Sequence, residues 1–322
     1  MLKLGRRRTG RYKGQCLDHG AITGGRSMAK ILDGAALAMD VRAEVAAGVL
    51  EMQQKHQVTP GLAAVLVGDD PASTIYVRNK GRACNEVRMF SETFRMPATT
   101  TQSEIVVLIE RLNHDQRFHG ILVQLPLPEQ INEEVTIDTV SPAKDVDGIH
   151  PFNLGKLVQG SPIFIPCTPA GVQQILLRSG YNPSAKHVVI CGRSNIVGKP
   201  LATLLMQRRE GSNATVTICH TRTKNLVEIT RQADILVAAM GQPGAITADM
   251  VLEGAVVIDV GINRVSDASR KQGYRLVGDV DFEAVVEKVE AITPVPGGVG
   301  PMTIAMLLVN TLTAARISIH GH

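Results

Sequence analysis

A lysine four residues after a tyrosine, Tyr76 and Lys80 within DPASTIYVRNKGRAC (residues 70–84), is the first pair in this chain that could do chemistry. Asp70 followed by Pro71 is a helix start, because the carboxylate caps free N–H groups and proline is pre-set for the first turn. A helix continuing from there puts Tyr76 and Lys80 on one side with Ala83 and Cys84, and turns Arg78 and Arg82 toward water. A half-buried lysine titrates low and can exchange a proton. Read alone, the segment also fits a solvated helix lysine beside a core tyrosine. Two further polar residues could join it: Gln124, ending the apolar run HGILVQL (residues 119–125), and Asp147 in Lys144-Asp145-Val146-Asp147-Gly148, by default a turn former.

A second candidate centre is the turn GRSNIVG, Gly192 to Gly198, which joins an apolar run to a helix, where free N–H groups and the helix dipole hold phosphate. It departs from G-x-G-x-x-G. Ser194 takes the second glycine position, Val197 the third, and Gly198 follows one residue later, so the stretch also fits a tight turn with no ligand. The next apolar run ends in Cys219-His220-Thr221-Arg222-Thr223. A site for NAD commonly places a carboxylate there for the ribose 2′-hydroxyl. Here the stretch is cationic and hydroxylic, and Arg193, Thr221 and Arg222 suit a 2′-phosphate, which favours NADP. His220 reads as a structural hydrogen-bonder.

These residues need elements to hold them. Asp33–His56 has amphipathic-helix spacing, followed by a strand at Leu62–Val67, the helix from Pro71, a strand at Met89–Met96, a helix at Ser103–Leu112 and a strand at His119–Leu125. That β-α-β-α-β order predicts a parallel sheet covered by helices, with functional groups gathered at the carboxyl ends of the strands. Gln124 and the start of the Asp70 helix both fall at such ends, so Lys80 and Gln124 could meet. Asn132–Val140 reads as helix. Thr168 and Pro169 read as the cap of a helix reaching Ser179, a bridge into a second unit.

That unit alternates strands (187–191, 215–219, 235–240, 256–260 and 275–278) with helices (198–208 and 225–231), a doubly wound nucleotide-binding pattern. Thr293 to Pro301 is dense in breakers, and Pro301 opens a terminal helix of about four turns that folds back on the first unit. The expected fold is therefore α/β with two domains and a cleft between them: a βαβ catalytic domain, residues 28–150 with 297–322, and a Rossmann-like domain, residues 151–296.

Composition narrows the function. At 322 residues the chain is long enough for two cores. No apolar run is read as approaching the ~20 residues of a membrane span. With no Trp, 6 Phe and 4 Tyr the chain lacks a base-stacking surface, so no nucleic-acid partner is expected. The net charge of +4 is concentrated in residues 1–27, where seven cations and one acid leave +6 and the remainder carries −2. That stretch reads as a disordered basic extension without a secretory signal, the alternative being a tail that touches RNA or membrane. Five scattered cysteines with no CxxC pair indicate neither a disulfide framework nor a metal site, and fit a reducing cytoplasm.

Together TIYVRNK (74–80), GILVQLPLP (120–128), KDVDG (144–148), PCTPAG (166–171), GRSNIVGKP (192–200), GAVVIDVGIN (254–263) and ITPVPGGVGPMT (292–303) closely resemble the bifunctional methylenetetrahydrofolate dehydrogenase/methenyltetrahydrofolate cyclohydrolase family, in its order, over about residues 28–316. The resemblance implies an NADP-dependent oxidation of 5,10-methylenetetrahydrofolate and a hydrolysis to 10-formyltetrahydrofolate. It puts the family's catalytic lysine, tyrosine and glutamine on Lys80, Tyr76 and Gln124, and its pterin-binding aspartate on Asp147. Pro296, Gly297 and Gly298 then border the folate. Gly192, Arg193, Ser194 and Gly198 hold the cofactor, with Thr221 where relatives often have serine. It also implies a homodimer. NAD-using relatives share the GRS turn, so Arg193 alone leaves the cofactor open. A monofunctional dehydrogenase and a non-catalytic folate- or nucleotide-binding module are the competing readings.

Overall fold

The computed structural model describes residues 28–270 and 273–320, with the side chain of His320 left aside. The basic extension expected to be disordered, residues 1–27, lies outside the described residues.

In chain order the elements are β1 (Lys30–Ile31), α1 (Gly34–His56), β2 (Gly61–Val67), α2 (Pro71–Glu86), β3 (Phe90–Met96), α3 (Gln102–His114), β4 (Gly120–Val123), α4 (Glu133–Thr139), α5 (Pro151–Val158) and α6 (Cys167–Arg178). There follow β5 (His187–Cys191), α7 (Gly198–Leu205), β6 (Thr215–Cys219), α8 (Leu226–Thr230), β7 (Ile235–Ala238), β8 (Val256–Asp259), β9 (Asn263–Ser266), β10 (Tyr274–Val277), α9 (Phe282–Val285), β11 (Ala291–Ile292) and α10 (Val299–His320).

Among the described residues the strands form a parallel three-stranded sheet, β3-β2-β4, and a parallel six-stranded sheet, β1-β11-β8-β7-β5-β6. Every residue of β2 (GLAAVLV) is buried, as a strand covered on both faces must be. Each fully buried Val or Leu contributes about 1.5–3 kcal/mol of transfer free energy. The α/β class and the two parallel sheets are as the sequence reading expects.

Several elements differ from that reading. Lys30–Ile31, grouped with the first unit, pairs with Ala291–Ile292 and adds an edge strand to the larger sheet. The strand at 274–277 does not join that sheet; it pairs antiparallel with β9 as a separate hairpin. Helix α6 starts at Cys167 with no side-chain cap, and Thr168 Oγ1 instead meets Thr303 Oγ1 at 3.1 Å. The terminal helix begins at Val299 rather than Pro301 and runs 22 residues.

By length and composition Val299–Ile319, with a mean hydropathy of 1.5, could cross a membrane, against the expectation that no apolar run reaches that length. Its neighbours account for the composition, because α10 packs between α1 and α6 and also reaches α2, β2 and β4. A helix surrounded by other helices is apolar on most of its faces. At Gly48 of α1 an added Cβ would lie 2.6 Å from Leu312, which shows how closely α1 and α10 approach.

Candidate active site

Lys80 is held by the helix that the sequence predicts. Asp70 caps α2 by accepting from Ser73 N at 2.7 Å, and Pro71 opens the first turn. Three turns on, Lys80 is 8% exposed, and its Nζ donates to Gln124 Oε1 at 3.0 Å. Gln124 sits just beyond β4, where its backbone N–H donates to Val65 O and its Nε2 donates to Leu125 O at 2.7 Å. The second bond directs the amide oxygen toward the lysine. Burial lowers the Lys80 pKa from its usual value, while the charge of Asp147 and the neighbouring Cys167 pull it partly back.

A cavity of about 320 Å³ lies over this pair, lined by Tyr76, Lys80, Gln124, Asp147, Cys167 and Thr303, among others. Tyr76 is half-buried, and burial raises its phenol above the usual value. Asp147 is half-buried and presented by a rigid turn. The buried carboxylate of Asp145 accepts from Ile149 N, His150 N and Asn153 Nδ2. From α10, Asn310 Nδ2 donates to Val146 O and Ile165 O, both at 2.9 Å. The structure thus brings Tyr76, Lys80, Gln124 and Asp147 together from one helix and two loops. Asp145, Asn310 and Cys167 escaped the sequence reading: their signal, two acids in KDVDG and a lone asparagine in an apolar helix, has no periodicity to single it out.

Pro296 and Gly297 do not line this cavity. They border a larger one, of about 860 Å³, which shares Asp70, Ala72, Tyr76 and Ile304 with the first.

The glycine turn stands apart from Lys80, at the carboxyl edge of the six-stranded sheet. Gly192 has φ +145°, and a Cβ there would lie 2.1 Å from Ala239 O; one on Gly198 would lie 2.1 Å from Gly192 O. Only glycine permits this close return of the chain. Ser194 Oγ accepts from Val197 N at 3.1 Å, and the side chains of Arg193 and Ser194 are exposed. Ile196, at the tip of the turn, reaches the Lys80 cavity. After β6, His220 Nδ1 accepts from Arg222 N at 3.1 Å, a structural use of the histidine, while Thr221 and Arg222 are exposed. A backbone cradle with exposed guanidinium and hydroxyl groups, and no carboxylate between residues 219 and 223, fits a dinucleotide with a 2′-phosphate.

The edge of this sheet is organised by two buried aspartates that the sequence reading passed over. Asp279 accepts from Met240 N (2.5 Å), Gly241 N (2.8 Å), Gln242 N (3.0 Å) and Asn263 Nδ2 (2.8 Å). Asp259 accepts from Gly261 N, Asp279 N and Val280 N, and burial pushes its carboxyl up to about 6 against those bonds.

A doubly wound sheet with a glycine turn at its carboxyl edge, beside a second parallel sheet that holds a buried lysine at its mouth, defines a two-unit α/β dinucleotide-dependent enzyme. The chain belongs to the tetrahydrofolate dehydrogenase/cyclohydrolase family: the family's catalytic domain matches residues 32–147 and its NAD(P)-binding domain residues 166–319. It is 55% identical over 295 residues to Bifunctional protein FolD 2 of Geobacter sulfurreducens, covering 92% of this chain and 100% of that one. Bifunctional protein FolD of Moorella thermoacetica is 56% identical over 288 residues, covering 89% and 99%. Among solved structures, the bifunctional FolD methylenetetrahydrofolate dehydrogenase/cyclohydrolase of Campylobacter jejuni superposes with a TM-score of 0.84 at 46% identity, covering 90% and 99%. The Trypanosoma brucei dehydrogenase-cyclohydrolase, complexed with NADP cofactor and inhibitor, gives 0.87 at 38% identity, covering 92% and 100%.

Proposed function

We propose that this chain oxidises 5,10-methylenetetrahydrofolate to 5,10-methenyltetrahydrofolate with NADP and hydrolyses that product to 10-formyltetrahydrofolate. The observation that carries the assignment is the buried Lys80, hydrogen-bonded to Gln124 within a cavity that Asp147 also lines.

The two reactions make different demands on the protein. NADP, held at the glycine turn by Arg193, Ser194 and Thr221, supplies the hydride acceptor. Oxidation of the N–CH2–N bridge leaves a resonance-stabilised cation, so the chain need provide only placement. In this reading Asp147 accepts hydrogen bonds from the pterin amino and ring N–H groups, and Tyr76 lies along the ligand. Hydrolysis of the cation needs proton transfer. Water adds to the methenyl carbon as neutral Lys80 accepts a proton, and the C–N bond then breaks as that proton passes to the departing ring nitrogen. Of the two water protons, one ends on nitrogen and one is released. Burial favours the neutral amine, and Gln124 Oε1, by accepting one N–H, aims the lone pair.

The division into a folate unit, residues 28–150 with the returning C-terminal helix, and a dinucleotide unit, residues 151–296, belongs to the same reading. Packing of α10 on α1 supports it, while β1 and α6 cross it. A homodimer in the cytoplasm completes it, and the buried free thiols of Cys84, Cys167, Cys191 and Cys219 suit a reducing compartment.

A coupled assay tests the proposal: NADPH appearance from 5,10-methylenetetrahydrofolate, then decay of the methenyl chromophore, with NADP and NAD in turn. Both signals are expected with NADP. NADPH formation with chromophore decay no faster than in buffer would reduce the protein to a monofunctional dehydrogenase.

A further inference from the structure

Two cysteines that stand 28 positions apart in the chain are neighbours at the cofactor edge of the six-stranded sheet. Cys191 and Cys219 are the last residues of β5 and β6, and the parallel register sets them directly opposite each other. They share a face. Cys191 and Cys219 belong to one core cluster with Val189, Leu236 and Ala238, whereas Val188 and Ile190 of β5 belong to the cluster on the other side of the sheet. Lower on the same face His187 Nε2 meets Thr217 Oγ1 at 2.9 Å, which fixes the pairing of the two strands.

Both side chains are buried, and among the described residues neither thiol makes a hydrogen bond, although Cys167 Sγ donates to Val146 O. Burial raises both above the ordinary thiol value, so neither is a ready nucleophile. Geometry also disfavours a disulfide: neighbouring strands lie about 4.8 Å apart, whereas the Cβ atoms of a disulfide approach to about 3.8 Å. Two metal–thiolate bonds of about 2.3 Å laid end to end span about 4.6 Å, which matches the strand spacing. A structural zinc ion takes four ligands, and among the described residues no group of three or more His, Cys, Asp or Glu could hold a metal. The pair therefore suits a soft cation that needs only two thiolates.

We propose that Cys191 and Cys219 together bind one soft monovalent cation of the Cu+ class in a linear sulfur–metal–sulfur arrangement, and that this ion opposes NADP. On binding, both thiols release their protons to solvent, two metal–sulfur bonds form and no electron is transferred. One net negative charge is left on the pair. That charge lies at the root of the anion cradle: Gly192 follows Cys191, and its N–H donates to Cys219 O, so the start of the glycine turn is tied to both cysteines. A fixed negative charge there repels the cofactor phosphates that Arg193 and the turn attract. The coupling is reciprocal, so NADP weakens metal binding by the same factor.

The test uses the full-length protein under anaerobic, reducing conditions, with Cu+ delivered from a chromogenic chelator. The wild type should hold one Cu+ per chain that Cys191→Val and Cys219→Val each bind roughly 100-fold more weakly, because the second thiolate acts as an intramolecular ligand. Valine suits a buried strand, and each variant's NADP affinity without metal should match the wild type, which shows that it is folded. Cys191→Ala and Cys219→Ala give the same reading where valine crowds the sheet. One equivalent of Cu+ should raise the wild-type Kd for NADP by roughly fivefold or more, an effect that both variants should lack. A wild type that yields Cu+ to the chelator as readily as the variants overturns the site. Tight, cysteine-dependent binding with an unchanged Kd for NADP overturns the antagonism.

Discussion

Lys80 Nζ lies 3.0 Å from Gln124 Oε1, and Gln124 presents its oxygen because its Nε2 is committed to Leu125 O at 2.7 Å. A buried amine given a neutral acceptor, with the carboxylate of Asp147 near but not paired to it, is held where it can change protonation state during a reaction. A direct ion pair would have locked the ammonium form.

Lys80→Met should lower cyclohydrolase turnover by roughly 10²-fold or more, the scale of a lost general acid/base. The folded-state pKa of Lys80 is depressed, so between that lowered value and the ordinary ~10.4 the unfolded chain binds more protons, and stability rises with pH through that window. Methionine removes this slope and the desolvation cost, so thermal unfolding measured against pH should show an equal or higher Tm at pH 7. Intact hydrolysis in the variant removes Lys80 from the mechanism.

Asp147→Asn should shift a pH profile rather than only reduce a rate. The Asp147 charge raises the Lys80 pKa against burial, so its removal drops that pKa further. The acidic limb of cyclohydrolase kcat, where activity rises as Lys80 loses its proton, should move to lower pH. A limb that stays in place means another group controls it.

Arg193→Ala tests the cofactor reading. Arg193 is exposed on the glycine turn, and loss of charge-assisted bonds to a 2′-phosphate should weaken NADP binding by about 1.5–3 kcal/mol, roughly 10- to 150-fold. NAD binding should barely change. Equal losses for both, measured by titration, would place the phosphate elsewhere.

Asp279→Asn addresses the clamp at the sheet edge. Its carboxylate takes three successive N–H groups after β7 and one from Asn263. Asparagine turns an NH2 toward these donors, which should cost on the order of 1–3 kcal/mol in unfolding experiments and raise KM for NADP. An unchanged denaturation midpoint and KM would show that the loop holds its shape without this residue.

How much of this was legible in the chain follows from the range of the forces involved. Local chemistry made the α2 start at Asp70-Pro71, the strand–turn–helix around Gly192 and the β-α alternation readable, because caps, prolines and apolar periodicity act within a few residues. The short edge strands β1 and β11 were not, since two residues carry no period and their pairing is made across 261 positions, from Lys30 to Ala291. Nor was the full start of α10, whose apolar composition reflects the helices around it rather than its own propensity.

By itself the sequence determined which residues could do chemistry and the order of the elements bearing them: Tyr76 and Lys80 one turn apart, Gln124 at a strand end, Asp147 in a turn, Arg193 beside glycine. Only the tertiary structure decided that Lys80 is buried against Gln124, that Asn310, 164 residues from Val146, pins the Asp147 loop, and that Pro296 and Gly297 border a second cavity rather than the first. Burial and the pKa shift it causes depend on what surrounds a side chain on every side, and those neighbours come from segments that no local pattern brings together.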